Sequence, residues 1–207
     1  MLTKEQLLLP LSRNRGDAIV VTTMGVVRPW GKISHSDLDF ASADSAMGHA
    51  ADLALGIALA QPQRKVICLN GDGSMLMSLG TLVTIVGSGV SNLILFVIQN
   101  GTYEITGNQS IPAGEHIDFL MMARAAGFQR LYRFNEPTEF TGQLPEILSG
   151  KGPVFVLVHI KPGTEGPIRR HEEEESQYLK VSLAESCHRM RKVLSGSDVA
   201  SDLLTKI

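Results

Sequence analysis

Short, unbroken apolar runs alternate along this chain with longer stretches of mixed polarity. The runs at 18–22, 66–69, 93–98 and 153–160 are short, rich in β-branched residues and bounded by polar or glycine-containing turns, so they predict strands, and a further strand is expected over 129–134. Helices are expected between them. Thr3 can cap one over 3–9, with Glu5 and Gln6 in its first turn and Pro10 discouraging continuation. A segment dense in Ala and Gly predicts a second over 43–60, and another follows Ser74. Further helices are expected over 117–126, with Asp118 in the first turn and Gly127 as C-cap, over 137–148 and over 181–194. Residues 28–41 show no clear period and read as a connector with a short strand near Asp39 and Phe40, in which Trp30 fills a hydrophobic gap or serves a ligand.

Strand and helix thus alternate throughout, without internal repeat or Gly/Ser linker. The fold class this predicts is α/β, one doubly wound, mostly parallel sheet with helices on both faces. Its core is expected over about residues 15–162, with a charged segment and a C-terminal helix over 163–207, fraying from Gly196 onward.

The length of 207 residues suits one large domain, and a formal charge of −2 gives no electrostatic case for nucleic acid or an anionic membrane. Cys68 and Cys187 form no CxxC pair and read as packing residues. The start of the chain lacks a signal-like pattern and no apolar run is long enough to span a bilayer, so the cytoplasm is the expected location. Between Lys161 and Gln177 the composition shifts to Pro, Gly and charge, which reads as a solvated segment; Arg169 and Arg170 could instead hold an anion near an interface.

The candidate chemistry lies between Gly71 and Asn100. Gly71-Asp72-Gly73-Ser74 follows one predicted strand and Asn100 follows the next, which puts Asp72 and Asn100 on the same rim of a parallel sheet, where such sheets bind ligands. Glycines let the backbone approach a ligand closely, and a helix starting near Ser74 offers N–H groups to a phosphate. Asp72 and Asn100 supply the hard oxygen ligands that Mg²⁺ prefers. Together they describe a magnesium-diphosphate site. A dinucleotide fingerprint from Gly71 would need glycine where Leu76 stands, and there is no P-loop run.

Gly-Asp-Gly-Ser, about 25 intervening residues, then Asn100-Gly101-Thr102, resembles the thiamine-diphosphate motif. That resemblance implies that Asp72, the Asn100 side chain and the Thr102 carbonyl bind Mg²⁺, and that Gly71, Gly73, Ser74 and Tyr103 contact the cofactor. It makes Thr23 and Gly25, in the turn after the first strand, diphosphate contacts, although a plain β-to-α turn reads equally well. Ser45-Ala46-Met47-Gly48 resembles the element whose apolar side chain bends this cofactor. Met47 would be that wedge, and the Ser45 carbonyl would accept a bond from the aminopyrimidine.

The loop 100–109 resembles that of phosphonopyruvate and sulfopyruvate decarboxylases, matching at Glu104, Thr106, Gly107 and Gln109 and departing at Ile105 and Asn108. Glu104 and His49 are the candidate catalytic groups; His159 is a weaker one, imidazole titrating near neutral pH.

The resemblance covers roughly residues 18–160, and only the diphosphate half of such an enzyme. It implies a thiamine-diphosphate- and Mg²⁺-dependent decarboxylase of a small anionic 2-oxo acid, with the pyrimidine domain supplied by a separate alpha subunit in at least a dimer. Other readings stand beside it: a non-catalytic cofactor-binding or regulatory subunit, another 2-oxo acid lyase or oxidoreductase beta chain, or a structural domain with an accidental motif. The absence of clustered cysteines argues against an iron–sulfur-linked oxidoreductase.

Overall fold

The structure, a computed structural model, describes residues 1–42, 47–114 and 116–195. In chain order the elements are α1 (Lys4–Asn14), β1 (Ile19–Thr23), α2 (Val27–Ile33), β2 (Asp39–Ser42), α3 (Ala50–Ala60), β3 (Val66–Gly71), α4 (Asp72–Met77), α5 (Thr81–Gly87) and β4 (Leu93–Gln99). There follow β5 (Thr102–Tyr103), β6 (Gln109–Ser110), α6 (Phe119–Ala126), β7 (Arg130–Phe134), α7 (Pro137–Ser149), β8 (Val154–His159) and α8 (Leu183–Ser195). Six strands form one sheet in the order β2-β1-β3-β4-β8-β7, with every neighbouring pair parallel. β5 and β6 form a separate antiparallel ribbon.

Parallel neighbours need crossovers, and these place helices on both faces. Successive side chains of a strand point to opposite faces, so Val66 and Cys68 enter one core and Ile67 and Leu69 the other. The first core lies under α3, α5 and α6, and the second under α1, α7 and Trp30 of α2. Burial on both faces is why the central strands read as unbroken apolar runs. Between β1 and β3 the order of winding reverses, and the crevice beyond their C-terminal ends is the topological switch point.

Two expectations fail for tertiary reasons. α1 does not stop at Pro10 but runs on to Asn14. Thr3 and Gln6 cap it reciprocally, and Leu7, Leu8 and Leu11 are buried. Roughly 1.5–3 kcal/mol for each buried leucine together outweighs the ~3 kcal/mol of an interior proline. The supposed connector contains α2, whose Pro29 sits in the first turn, where a missing N–H costs little. Gly31 is required there because a Cβ would lie 2.5 Å from the Ser176 side chain.

That contact also corrects the solvated reading of 161–177. Glu172, Glu173 and Glu175 are exposed, but the segment is strapped across α2 and the sheet edge. Arg28 grips Glu174 through Nε–Oε2 at 2.9 Å and Nη2–Oε1 at 2.6 Å, and donates to the carbonyls of Gly166 and Pro167. Ser176 is fully buried, and Arg170 donates to the carbonyls of Ala41, Tyr178 and Val181. At the other terminus Leu2 bridges β8 through Leu2 N–H to His159 O at 3.0 Å and Lys161 N–H to Leu2 O at 2.9 Å. No helix among the described residues is long and apolar enough to cross a membrane. The expected fraying from Gly196 lies outside the described residues.

Candidate functional site

A cavity of about 410 Å³ opens at the switch point. Its walls come from the ends of β1 (Thr23, with Met24 and Gly25), β3 (Gly71, with Asp72, Gly73 and Ser74) and β4 (Ile98, with Asn100), from Met47 before α3, and from Thr102, Tyr103 and Glu104. Thus every cofactor, metal and catalytic candidate named from the sequence lines it except Ser45, which lies outside the described residues, and His49 and His159; Trp30, Arg169 and Arg170 do not line it either. Ile105 and Thr106 of the loop 100–109 also line it, as do Lys4, Met77 and Ile160, which were not anticipated.

Asp72 begins α4 directly from β3, and its side chain is buried. Oδ1 accepts the Gly73 N–H at 2.8 Å and Oδ2 the Gly101 N–H at 2.7 Å, which ties the Gly-Asp-Gly turn to the loop after β4. Desolvation pushes its pKa up to about 6 against the opposing pull of these backbone N–H groups. The Asn100 Oδ1 accepts the Thr102 N–H at 2.9 Å. The oxygen chemistry and the poorly compensated carboxylate fit a hard divalent cation. Among the described residues no group of three or more His, Cys, Asp or Glu forms a metal cluster, so such a cation would take its remaining ligands from elsewhere.

The glycines of the turn have different duties. A Cβ at Gly71 would meet nothing within 4 Å, so its backbone faces open space. A Cβ at Gly73 would fall 2.5 Å from the Tyr103 ring, so this position makes room for Tyr103. The Ser74 hydroxyl is buried and accepts the Gly48 N–H at 3.0 Å, which anchors the turn carrying Met47. Gly48 has φ +92°, and past it His49 leaves the cavity: its side chain is 73% exposed and faces Asp52 at 3.1 Å. His49 is therefore not brought to the site. His159 ends β8 half-buried, its pKa lowered by desolvation.

In the loop, Asn108 has φ +60°, the left-handed conformation that asparagine tolerates and glycine adopts freely, which accounts for an Asn there. Met24 at the rim also has a positive φ, +49°. Glu104 is buried in the wall with its carboxylate bound to Lys4 at 2.5 Å.

Among known proteins, the chain is 34% identical over 188 residues to a phosphonopyruvate decarboxylase of Streptomyces viridochromogenes, covering 90% of this chain and 44% of the relative. It is 41% identical over 117 residues to the sulfopyruvate decarboxylase subunit beta of Methanothermobacter thermautotrophicus, covering 56% of this chain and 60% of the relative. The chain thus covers less than two thirds of the length of either curated relative. Its fold matches that of a thiamine diphosphate-dependent 4-hydroxybenzoylformate decarboxylase of Rhodococcus jostii at a TM-score of 0.65 and 22% identity, covering 79% of this chain and 33% of that one. The family model for the thiamine pyrophosphate enzyme, C-terminal TPP binding domain, matches residues 35–158, and the chain belongs to that family.

Proposed function

We propose that this chain is the diphosphate- and magnesium-binding subunit of a thiamine-diphosphate-dependent decarboxylase of a small anionic 2-oxo acid such as sulfopyruvate or phosphonopyruvate. The observation that carries the proposal is the convergence, at the switch point, of a buried Asp72 carboxylate held by backbone N–H groups with the side-chain oxygen of Asn100. When bound, thiamine diphosphate supplies the electron sink for loss of CO₂.

Asp72, the Asn100 Oδ1 and the Thr102 carbonyl would hold the Mg²⁺. The open backbone at Gly71, with Gly73 and Ser74, would receive the diphosphate, and Thr23 and Gly25 would face it from the β1 end. Met47 enters the cavity from a turn held by Ser74 and would be the apolar support of the bent cofactor, with Tyr103 on the loop side; the Ser45 carbonyl would accept a bond from the aminopyrimidine. The substrate class is inferred from the relatives' activities. A separate pyrimidine-domain subunit is inferred because the match covers only 44% of the phosphonopyruvate decarboxylase and the sulfopyruvate decarboxylase relative is itself a subunit beta.

The test is calorimetric titration of thiamine diphosphate into the purified chain with and without Mg²⁺, with Asp72→Ala as control. Binding that needs Mg²⁺ and is lost in the variant is the expected result. Binding indifferent to both overturns the assignment. Turnover of either oxo acid by the chain with a pyrimidine-domain subunit tests the remainder.

A further inference from the structure

Glu104 stands where three stretches distant in sequence meet the cavity wall. Oε1 accepts from Lys4 Nζ at 2.5 Å and from the Glu165 N–H at 2.9 Å, and Oε2 accepts from Asn100 Nδ2 at 3.1 Å. The Glu104 side chain is 3% exposed and that of Lys4 14%, so the charges are balanced away from solvent. The backbone closes on the pair from two sides: a Cβ at Gly25 would lie 3.2 Å from Oε2, and one at Gly163 would collide with Oε1. A carboxylate so fully engaged is poorly placed to exchange protons with a ligand.

Its geometry suits another task. An asparagine amide can present either oxygen or nitrogen in a given direction, and its partners decide which. An ionised carboxylate paired with lysine only accepts, so Glu104 draws Nδ2 toward itself and leaves Oδ1 on the other side, where one of its lone pairs accepts the Thr102 N–H. We infer that Glu104 is a positioning residue: it holds Asn100 with its oxygen presented to a divalent cation, and Lys4 and the Glu165 N–H hold Glu104 in turn. This rests on the reading of Asn100 as a cation ligand. It also assigns Lys4, on the N-terminal helix, and the strap at Glu165 a part in cation binding that neither reaches directly.

The test is Glu104→Gln in the full chain, an isosteric change that replaces an acceptor-only group with one able to donate or accept. Two measurements are made: the NMR signals of the Asn100 side-chain amide without ligand, and the Mn²⁺ concentration for half-saturation with thiamine diphosphate present. The expected result is displaced Asn100 amide signals and a half-saturation concentration raised about 10–100-fold, the usual effect of losing a partner that orients a ligand. A purely structural role would lower the unfolding temperature yet leave Mn²⁺ half-saturation of the folded protein unchanged; that result overturns the inference. The pair Asn100→Asp with Glu104→Gln restores the bond with donor and acceptor exchanged. It is expected to recover Mn²⁺ binding relative to Glu104→Gln, and if the single variant does not fold the pair decides alone, a folded pair without a Mn²⁺ response overturning the inference. Wild-type protein that takes up no Mn²⁺ overturns the cation reading and this inference together, whereas a binding wild type with an unaffected Glu104→Gln overturns the inference alone.

Discussion

Two aspartates are buried at opposite ends of the same sheet, and the chain treats them differently. Asp39 opens β2 with a side chain 2% exposed, ion-paired to Arg15. It also accepts the Ser34 hydroxyl at 2.5 Å and the Ser36 N–H at 3.3 Å, while Arg15 bonds the Ala18 carbonyl and lies 5.8 Å from the Trp30 ring centroid. Asp72 follows the end of β3 and is as deeply buried, but the hydrogen bonds to its carboxylate come from the backbone N–H groups of Gly73 and Gly101. One charge is neutralised inside the fold; the other is held by dipoles alone, and its pKa rises to about 6. Burial therefore does not separate a structural carboxylate from one proposed to bind a cation. The nature of the partners does.

The largest expected effect follows from breaking the first site. Asp39→Ala leaves the Arg15 guanidinium buried without its counter-charge and is expected to lower stability in urea unfolding by about 3–5 kcal/mol. The fraction that remains folded should keep its affinity for thiamine diphosphate and Mg²⁺, since Asp39 lies at the far end of the sheet. Asp72→Asn should show the reverse pattern. It removes a poorly solvated charge but offers one acceptor oxygen to two N–H groups, and these opposed changes leave stability within about 1 kcal/mol of wild type. Its Mg²⁺-dependent cofactor binding should nevertheless be lost in calorimetry. A loss of stability at Asp72 equal to that at Asp39 would erase the distinction between the two sites.

The same contrast explains what could be read from the chain beforehand. The central strands were legible because parallel strands buried on both faces appear as unbroken apolar runs, and Asp72 and Asn100 were legible because each stands just past the end of such a strand. α2 was not, since Pro29 and Gly31 break its pattern and the reason for Gly31 is the approach of Ser176 from a segment almost 150 residues away. Lys4 resembles any lysine at the start of an amphipathic helix. It reaches the cavity because the Leu2 bridge to β8 and the buried leucines of α1 together fix that helix against the sheet. His49 misled by proximity: two residues from Met47 in sequence, it is turned to solvent past Gly48.

A third carboxylate stands between these extremes and sharpens the contrast by pH. Glu174 is paired bidentately with Arg28 but lies near the surface, its side chain 11% exposed. The Arg28 guanidinium holds its pKa below the ordinary glutamate value of 4.5. A folded value below the unfolded one means that the pair's stabilisation is fully present above pH 4.5 and is lost as pH falls through the folded value. Glu174→Gln is therefore expected to cost about 1 kcal/mol at neutral pH, the modest scale of a partly exposed pair. The gap in unfolding free energy between wild type and variant should stay constant from neutral pH down to about 5 and narrow below the unfolded glutamate value. A gap that persists unchanged at low pH would mean that Glu174 acts through packing and not charge. The same strap delivers the Glu165 N–H to Glu104 and the Gly163 carbonyl to Asn108, so loosening it by Glu174→Gln at neutral pH should also weaken Mn²⁺ binding. The Asp39 site, closed on itself at the other end of the sheet, should take no part in that loss.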